Sequence, residues 1–374
     1  MSTRVVSMQI PDSILKNEAL QNAISILPSN YNFEIYKTVW RLRQAGCRRV
    51  ALQFPEGLLM YSCVIADILE SFAGIDCALI MGDVTFGACC VDDYSADALD
   101  ADFLVHYGHS CLVPVSDTMI PCMYVFVDIK MDIDHFVDSV RLNFDPGMRI
   151  ILAGTIQFAS SLHAAKGLLH EYQHITVPQE RPLSRGETLG CTAPVVPGEH
   201  DAIIFIADGR FHLEALMIAN PGIAAYRYDP YGRQFTEESY DQKGMRQQRR
   251  QAIEKARCAT RWGIILGTLG RQGNPKILES IKSIMEDRGY SYILVLLSEI
   301  SPQKLSMMSN GIDAWVQIAC PRLSIDWGDE FEKPTLNPYE VGSLCVLYGY
   351  ISLFNELLRT SNQLLLWYYN CRRL

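Results

Sequence analysis

Three cysteines stand where their type and surroundings allow chemistry. They are Cys89 in Gly82-Asp-Val-Thr-Phe-Gly-Ala-Cys-Cys90, Cys191 in Gly186-Glu-Thr-Leu-Gly-Cys-Thr-Ala-Pro194 and Cys320 in Trp315-Val-Gln-Ile-Ala-Cys-Pro-Arg322. Each follows an apolar, strand-like run. Cys89 and Cys191 are separated by 102 positions and Cys191 and Cys320 by 129, too far for a local metal knuckle, whose ligands sit a few residues apart. Three similar units packed about an axis would instead bring one thiolate each to a common centre. That arrangement suits an iron–sulfur cluster with one iron left open.

The elements that must position these thiols follow a repeated order. Helical stretches at Ile14–Leu27 and Phe33–Gln44 precede a strand at 49–55, a helix from Glu56 to about Phe72, and strands at 77–82 and 102–108. A second set of strands is predicted at 149–154, 174–178 and 201–207, with a helix from Ser161 to Tyr172, and a third at 262–267, 292–297 and 313–318. Continuous apolar runs alternating with helical patterns predict parallel strands covered on both faces. The fold class is therefore α/β: three related domains, each a small parallel sheet flanked by helices, in a pseudo-threefold arrangement. The expected boundaries are 1–145, 146–240 and 241–374. In open parallel sheets, functional groups gather beyond the carboxyl ends of the strands, where Cys89, Cys191 and Cys320 all fall.

Composition narrows the function classes. A chain of 374 residues with 49% hydrophobic and 20% charged residues can build packed cores. The net charge of −9 argues against nonspecific binding to nucleic acid, which depends on clustered Lys and Arg. Twelve cysteines behind an amino terminus without a secretory signal point to a reducing, cytoplasmic setting, where ligation or plain burial is expected before disulfides. The basic segment Lys243–Arg257 reads as a solvated connecting helix. The apolar stretch Val341–Phe354 is too short to cross a bilayer. No phosphate loop, nucleophile elbow or zinc helix motif occurs.

The segments Gly82–Asp93, His106–Cys111, Asp208–Glu214, Tyr226–Pro230, Gly267–Gly273 and Gln317–Trp327 resemble the 2-(3-amino-3-carboxypropyl)histidine synthase subunit 1 family, the eukaryotic catalytic subunits of the first diphthamide-biosynthesis enzyme. The resemblance covers about Ile10 to Glu340. From Val341 onward, including the aromatic end Leu366–Asn370, the chain departs from that pattern.

The resemblance implies a four-iron four-sulfur cluster on Cys89, Cys191 and Cys320, with S-adenosylmethionine as co-substrate. In the family pattern the first cysteine after Gly-Ala is the ligand, so Cys90 is expected to pack inward. Cys47, Cys63, Cys77, Cys111, Cys122, Cys258, Cys345 and Cys371 are expected as buried thiols. In that family the Cγ–S bond is cut and the 3-amino-3-carboxypropyl group is added to C2 of a histidine imidazole on translation elongation factor 2. A homologous second subunit and a small iron- or zinc-containing electron donor are implied as partners, with no membrane.

Remaining candidates are supporting groups. Arg322, Arg210 and Arg271 stand at strand ends where they could clamp the methionine carboxylate, or serve as domain-interface ion pairs. Gly209, like Gly57, Gly108 and Gly270, could admit a ligand close to the backbone or simply form a turn. His109 and His212 sit where a proton acceptor for the substrate imidazole is useful, and equally where a structural histidine is ordinary. Asp92, Asp93 and Asp208 could form an acid–base set, but helix capping accounts better for Asp92 and Asp93. Two other functions compete: a dehydratase and condensing enzyme like quinolinate synthase, which also holds a three-cysteine cluster but is disfavoured by the flanking segments, and a noncatalytic supporting subunit, against which the three retained cysteines speak.

Overall fold

The computed structural model describes residues 9–83 and 87–346. Residues 84–86 of the first cysteine motif, the Cys345 side chain, the stretch Leu366–Asn370 and Cys371 lie outside the described residues. The chain divides into two compact units, Met1–Met131 with Ile156–Ser160 and Asp132–Thr155 with Ser161–Leu374.

The first unit holds a four-stranded parallel sheet in the order Cys77–Ile80, Arg49–Gln53, Phe103–Tyr107, Cys122–Val125. Its central strands are buried on both sides. Val50, Leu52, Phe103 and Val105 enter one core with Val39 and Leu42 of the helix Ile35–Ala45 and Ile65 and Leu69 of the helix Ser62–Phe72. Ala51 and Leu104 enter a second core on the opposite face with Val91 and Ala96. The period of two along each strand produces this division. The helical region Ile14–Leu27 resolves into Asp12–Leu15 and Glu18–Ile24, because the Asn17 side chain accepts the Leu20 amide and starts a new helix.

The second unit holds two sheets. One runs in the order Gln234–Glu238, Ala224–Asp229, Ala202–Ile206, Ile150–Gly154, Ile175–Thr176, parallel except for its hairpin edge. The other is wholly parallel, in the order Ser291–Leu297, Arg261–Gly267, Ala314–Ile318, Thr335–Leu336. A Cβ on Gly263 would overlap the Trp315 ring of the neighbouring strand; the glycine is there because the indole fills its place. The sequence predicted three strands per set, and the structure adds edge strands to each. Thr335–Leu336 is too short and Gln234–Glu238 too polar to carry a continuous apolar run, whereas the strand Cys122–Val125 does carry one and is absent from the predicted set.

The basic segment corrects a second expectation. The helix Gln242–Ala256 buries Met245, Arg249 and Ala256 against the third sheet, so it is a packed element rather than a solvated connector. Arg249 and Glu340 form a bidentate pair at 2.7 and 2.8 Å, with side chains 1% and 0% exposed. Arg249 also donates to the Ser324 and Thr335 carbonyls. Glu340 accepts the Asn337 amide while Asn337 accepts the Glu340 amide, a reciprocal cap on the helix Pro338–Val346.

A buried ion pair is costly to break because the remaining charge is stranded in a poorly polarisable interior. Arg249→Met is expected to destabilise the fold by about 3–5 kcal/mol. Adding Glu340→Leu should recover much of that loss. Urea midpoints of the two variants against the parent would check both statements.

Candidate functional site

Each cysteine lies on a loop beyond the carboxyl end of its sheet, and each loop is fastened by specific bonds. In the first unit the Cys90 amide donates to the Gly87 carbonyl. Gln53, the last residue of its strand, donates from Nε2 to the Cys90 carbonyl at 2.8 Å, and its Oε1 accepts the Asp92 amide at 3.2 Å. The same Oε1 lies 2.8 Å from His106 Nδ1. Since Oε1 can only accept, the His106 proton must sit on Nδ1. Cys90 is buried and Cys89 partly exposed, their sulfurs 3.9 Å apart.

In the second unit the Cys191 loop is strapped to the end of the strand Ile150–Gly154. The Gly154 amide donates to Gly186, Thr188 donates back to Gly154, and Leu189 and Thr192 exchange backbone bonds across Cys191. Cys320 opens the short helix Pro321–Trp327, with Pro321 in the first turn. Gln317 reaches from the strand Ala314–Ile318 and donates to the Cys320 carbonyl at 3.0 Å and to Ser324 Oγ at 3.1 Å. Two of the three cysteine loops are thus held by a glutamine amide from an adjoining strand.

Arg322 joins the Cys191 and Cys320 loops. Its side chain is buried and donates from Nη1 to the Gly190 carbonyl at 3.4 Å and the Phe211 carbonyl at 2.9 Å, from Nη2 to Glu214, and from Nε to Asp326 at 2.9 Å. Four of its five N–H groups are accounted for. The guanidinium carbon stands 4.2 Å from the Phe211 ring centre, and a Cβ on Gly190 would collide with that ring. These contacts pair Arg322 with two carboxylates inside the second unit. Arg210 shares Glu214, bonding its other oxygen at 2.8 Å, and also pairs with Glu238; its side chain is 51% exposed. Arg271 is half-buried in the loop after the strand Arg261–Gly267.

Other expected site residues take ordinary places. Gly209 is exposed and a Cβ there would meet nothing, so no close approach requires glycine. Gly108 has φ +76° and abuts Pro55, which does require it. Burial holds His109 down to about 4 and His106 well below the usual range, so both are neutral at pH 7. His212 is half-buried with its ring edge-on to Phe211. Asp92 caps the helix Asp93–Ala98 through Ser95, Asp93 is buried and accepts the Met119 amide, and Asp208 is exposed.

The other cysteines divide. Burial pushes the Cys47 thiol up to about 11 and Cys122 to about 12, and raises Cys111, keeping them protonated at neutral pH in the absence of metal. Cys63 and Cys258 are exposed, against the expectation of burial. Cys63 lies on the outer side of its helix, and Cys258 follows the end of the helix Gln242–Ala256. Among the described residues no set of three or more His, Cys, Asp or Glu side chains is gathered as a ready metal site. The three strand-end cysteines fit a cluster in donor type, soft sulfur ligands on partly exposed loops.

Sequence reasoning missed Gln53, His106, Gln317, Gly190, Phe211 and Glu214. Gln53, His106 and Gln317 had a visible signal. Each is a polar residue inside an apolar strand, and a polar side chain so placed needs a partner.

A family profile described as "Putative diphthamide synthesis protein" matches residues 54–347. The chain is 54% identical over 345 residues to 2-(3-amino-3-carboxypropyl)histidine synthase subunit 1 of Dictyostelium discoideum, covering 90% of this chain and 73% of that protein. It is 56% identical over 337 residues to the protein of that name from Homo sapiens, covering 90% and 76%. The crystal structure of Dph2 from Pyrococcus horikoshii, solved also with a 4Fe-4S cluster, superposes with a TM-score of 0.69 at 26% identity, over 84% of this chain and 91% of that one.

Two consequences can be measured. Glu187 is buried beside the Cys191 loop, with Oε2 accepting the Ser184 amide. Burial pushes its carboxyl up to about 7 from 4.5, the Ser184 bonds pulling the other way. A carboxyl that keeps its proton only when folded adds stability below pH 4.5 that is lost as pH rises through about 7. Glu187→Gln should therefore gain on the parent as pH rises from 5 to 8, by on the order of 3 kcal/mol, read as diverging melting temperatures. Gln317→Leu should change global stability by only about 1 kcal/mol yet speed amide hydrogen exchange at residues 319–324.

Proposed function

The chain belongs to the diphthamide synthesis protein family, and from that premise we propose that it catalyses the first step of diphthamide formation. In this reading it transfers the 3-amino-3-carboxypropyl group of S-adenosylmethionine to C2 of a histidine imidazole on translation elongation factor 2. The observation that carries the reading is the family match from 54 to 347, which spans Cys89, Cys191 and Cys320 together with the groups that fasten their loops.

Cys89, Cys191 and Cys320, one beyond each of the three parallel or mostly parallel sheets, would hold a four-iron four-sulfur cluster through their thiolates. When bound, the cluster supplies the electron and the open iron position at which a sulfonium carbon–sulfur bond can be broken. The protein's share is placement. Gln53 and Gln317 fix the backbone beside Cys89 and at Cys320, and the Gly154 straps fix the Cys191 loop. Orientation of this kind converts a chance encounter into a near-attack arrangement.

Cleaving the Cγ–S bond releases 5′-methylthioadenosine, and forming the new carbon–carbon bond at imidazole C2 requires the C2 proton to leave and the electron used in the cleavage to be given back as the ring regains aromaticity. His109 and His212 are the proton acceptors of this reading; His109 is neutral at pH 7, and the burial that lowers it to about 4 also makes it a weaker base than an ordinary imidazole. Arg210, half-exposed at its strand end, and Arg271 are the carboxylate clamps of this reading, with Gly209 preceding Arg210 in the chain. Arg322 acts internally. The designation "subunit 1" of the relatives supports a homologous second subunit as partner, and a small iron- or zinc-containing protein would deliver electrons in the cytoplasm. Among the described residues no helix is long and apolar enough to cross a membrane.

Anaerobic reconstitution with iron and sulfide, dithionite reduction and addition of S-adenosylmethionine should yield 2-aminobutyrate or a dithionite adduct of the aminocarboxypropyl group. Release of 5′-deoxyadenosine, or no cleavage at all in the presence of the second subunit, would refute the assignment. Cys191→Ala should lose most of its bound iron while keeping its circular dichroism spectrum.

A further inference from the structure

We infer that Arg322 is a positioning residue that latches the Cys191 loop to the Cys320 helix and so sets the approach of those two thiols. The inference rests on the reading that both cysteines ligate a cluster. Its grounds lie wholly within the second unit. Arg322 is two residues past Cys320, and its guanidinium donates to the carbonyl of Gly190, the residue immediately before Cys191. The same Nη1 donates to the Phe211 carbonyl, whose ring lies against the guanidinium face. No side chain fits between: Gly190 admits the Phe211 ring only because it has no Cβ.

The latch is also oriented from behind. Nε bonds both oxygens of Asp326 at 2.9 and 3.0 Å, one helical turn along, and Nη2 bonds Glu214, whose second oxygen is held by Arg210. The planar fork is thereby fixed on three sides. Lysine would keep the charge but, as a single ammonium, could not bridge the Asp326 and Glu214 carboxylates and two backbone carbonyls at once. Groups that orient metal ligands without touching the metal typically account for 10- to 100-fold in metal affinity.

The test compares Arg322→Lys with the charge-balanced triple variant Arg322→Met, Glu214→Gln, Asp326→Asn, which avoids stranding two acids in the interior. Two readouts are needed. In metal-free, folded protein, the yield of Cys191 to Cys320 cross-linking by a short dithiol-reactive reagent is measured by mass spectrometry. In anaerobically reconstituted protein, the rate of iron release to a chelator is followed by absorbance. Both variants should keep the parent's circular dichroism, cross-link several-fold less, and release iron roughly tenfold faster. Should Arg322→Lys not fold, the triple variant decides. Parent-like cross-linking and iron release in a folded variant would overturn the latch. If the parent itself takes up no cluster, the functional reading falls, and the cross-linking readout still decides whether Arg322 sets the two thiols.

Discussion

A guanidinium buried among two carboxylates and two backbone carbonyls is the contact through which two distant loops of the second unit share one position. Removing an arginine from water is unfavourable unless its hydrogen-bond donors are nearly all met, and Arg322 meets that condition only in one arrangement of Gly190, Phe211, Glu214 and Asp326. The penalty for any other arrangement is what gives the loops a defined register. Arg249 plays a comparable part on the same short helix, holding the Ser324 carbonyl while paired with Glu340. A seven-residue helix has little stability of its own; two buried arginines hold this one in place.

The first and third sheets reach a similar end by neutral means. Gln53 and Gln317 each stand at or next to the end of a strand and each donate to a carbonyl at or beside a cysteine. An amide suits this duty because it can donate and accept at once without the desolvation penalty of a charge. Gln53 uses both ends, so that His106, the Asp92 amide and the Cys90 carbonyl form one connected set. Loops at sheet edges are ordinarily the most mobile parts of a fold, and such ties are what make them suitable for holding ligands.

The strands and the cysteine motifs were legible in the sequence because their signals are local: apolar runs such as Ile150–Gly154 and Ala314–Ile318 are short, continuous and bounded by turns. The hairpin Ala224–Glu238 was not, since Arg227 and Glu238 interrupt its pattern and meet only after folding, at 3.0 Å. Arg249 was misread for the same reason. On the helix Gln242–Ala256 it resembles its exposed neighbours, and its partner Glu340 lies far along the chain. Arg322 is visible in the sequence as an arginine at a strand end, but its partners at 190, 211 and 214 come together only in the fold. Charge patterns report composition; pairing across the chain depends on the tertiary fold.

The fit of Trp315 into the space above Gly263 has a consequence for how this sheet can change over evolutionary time. Neither position can drift alone, because a side chain at 263 evicts the indole and a smaller residue at 315 leaves a hollow. The two sites are therefore expected to covary, with any lineage that abandons the tryptophan free to acquire alanine or valine opposite it.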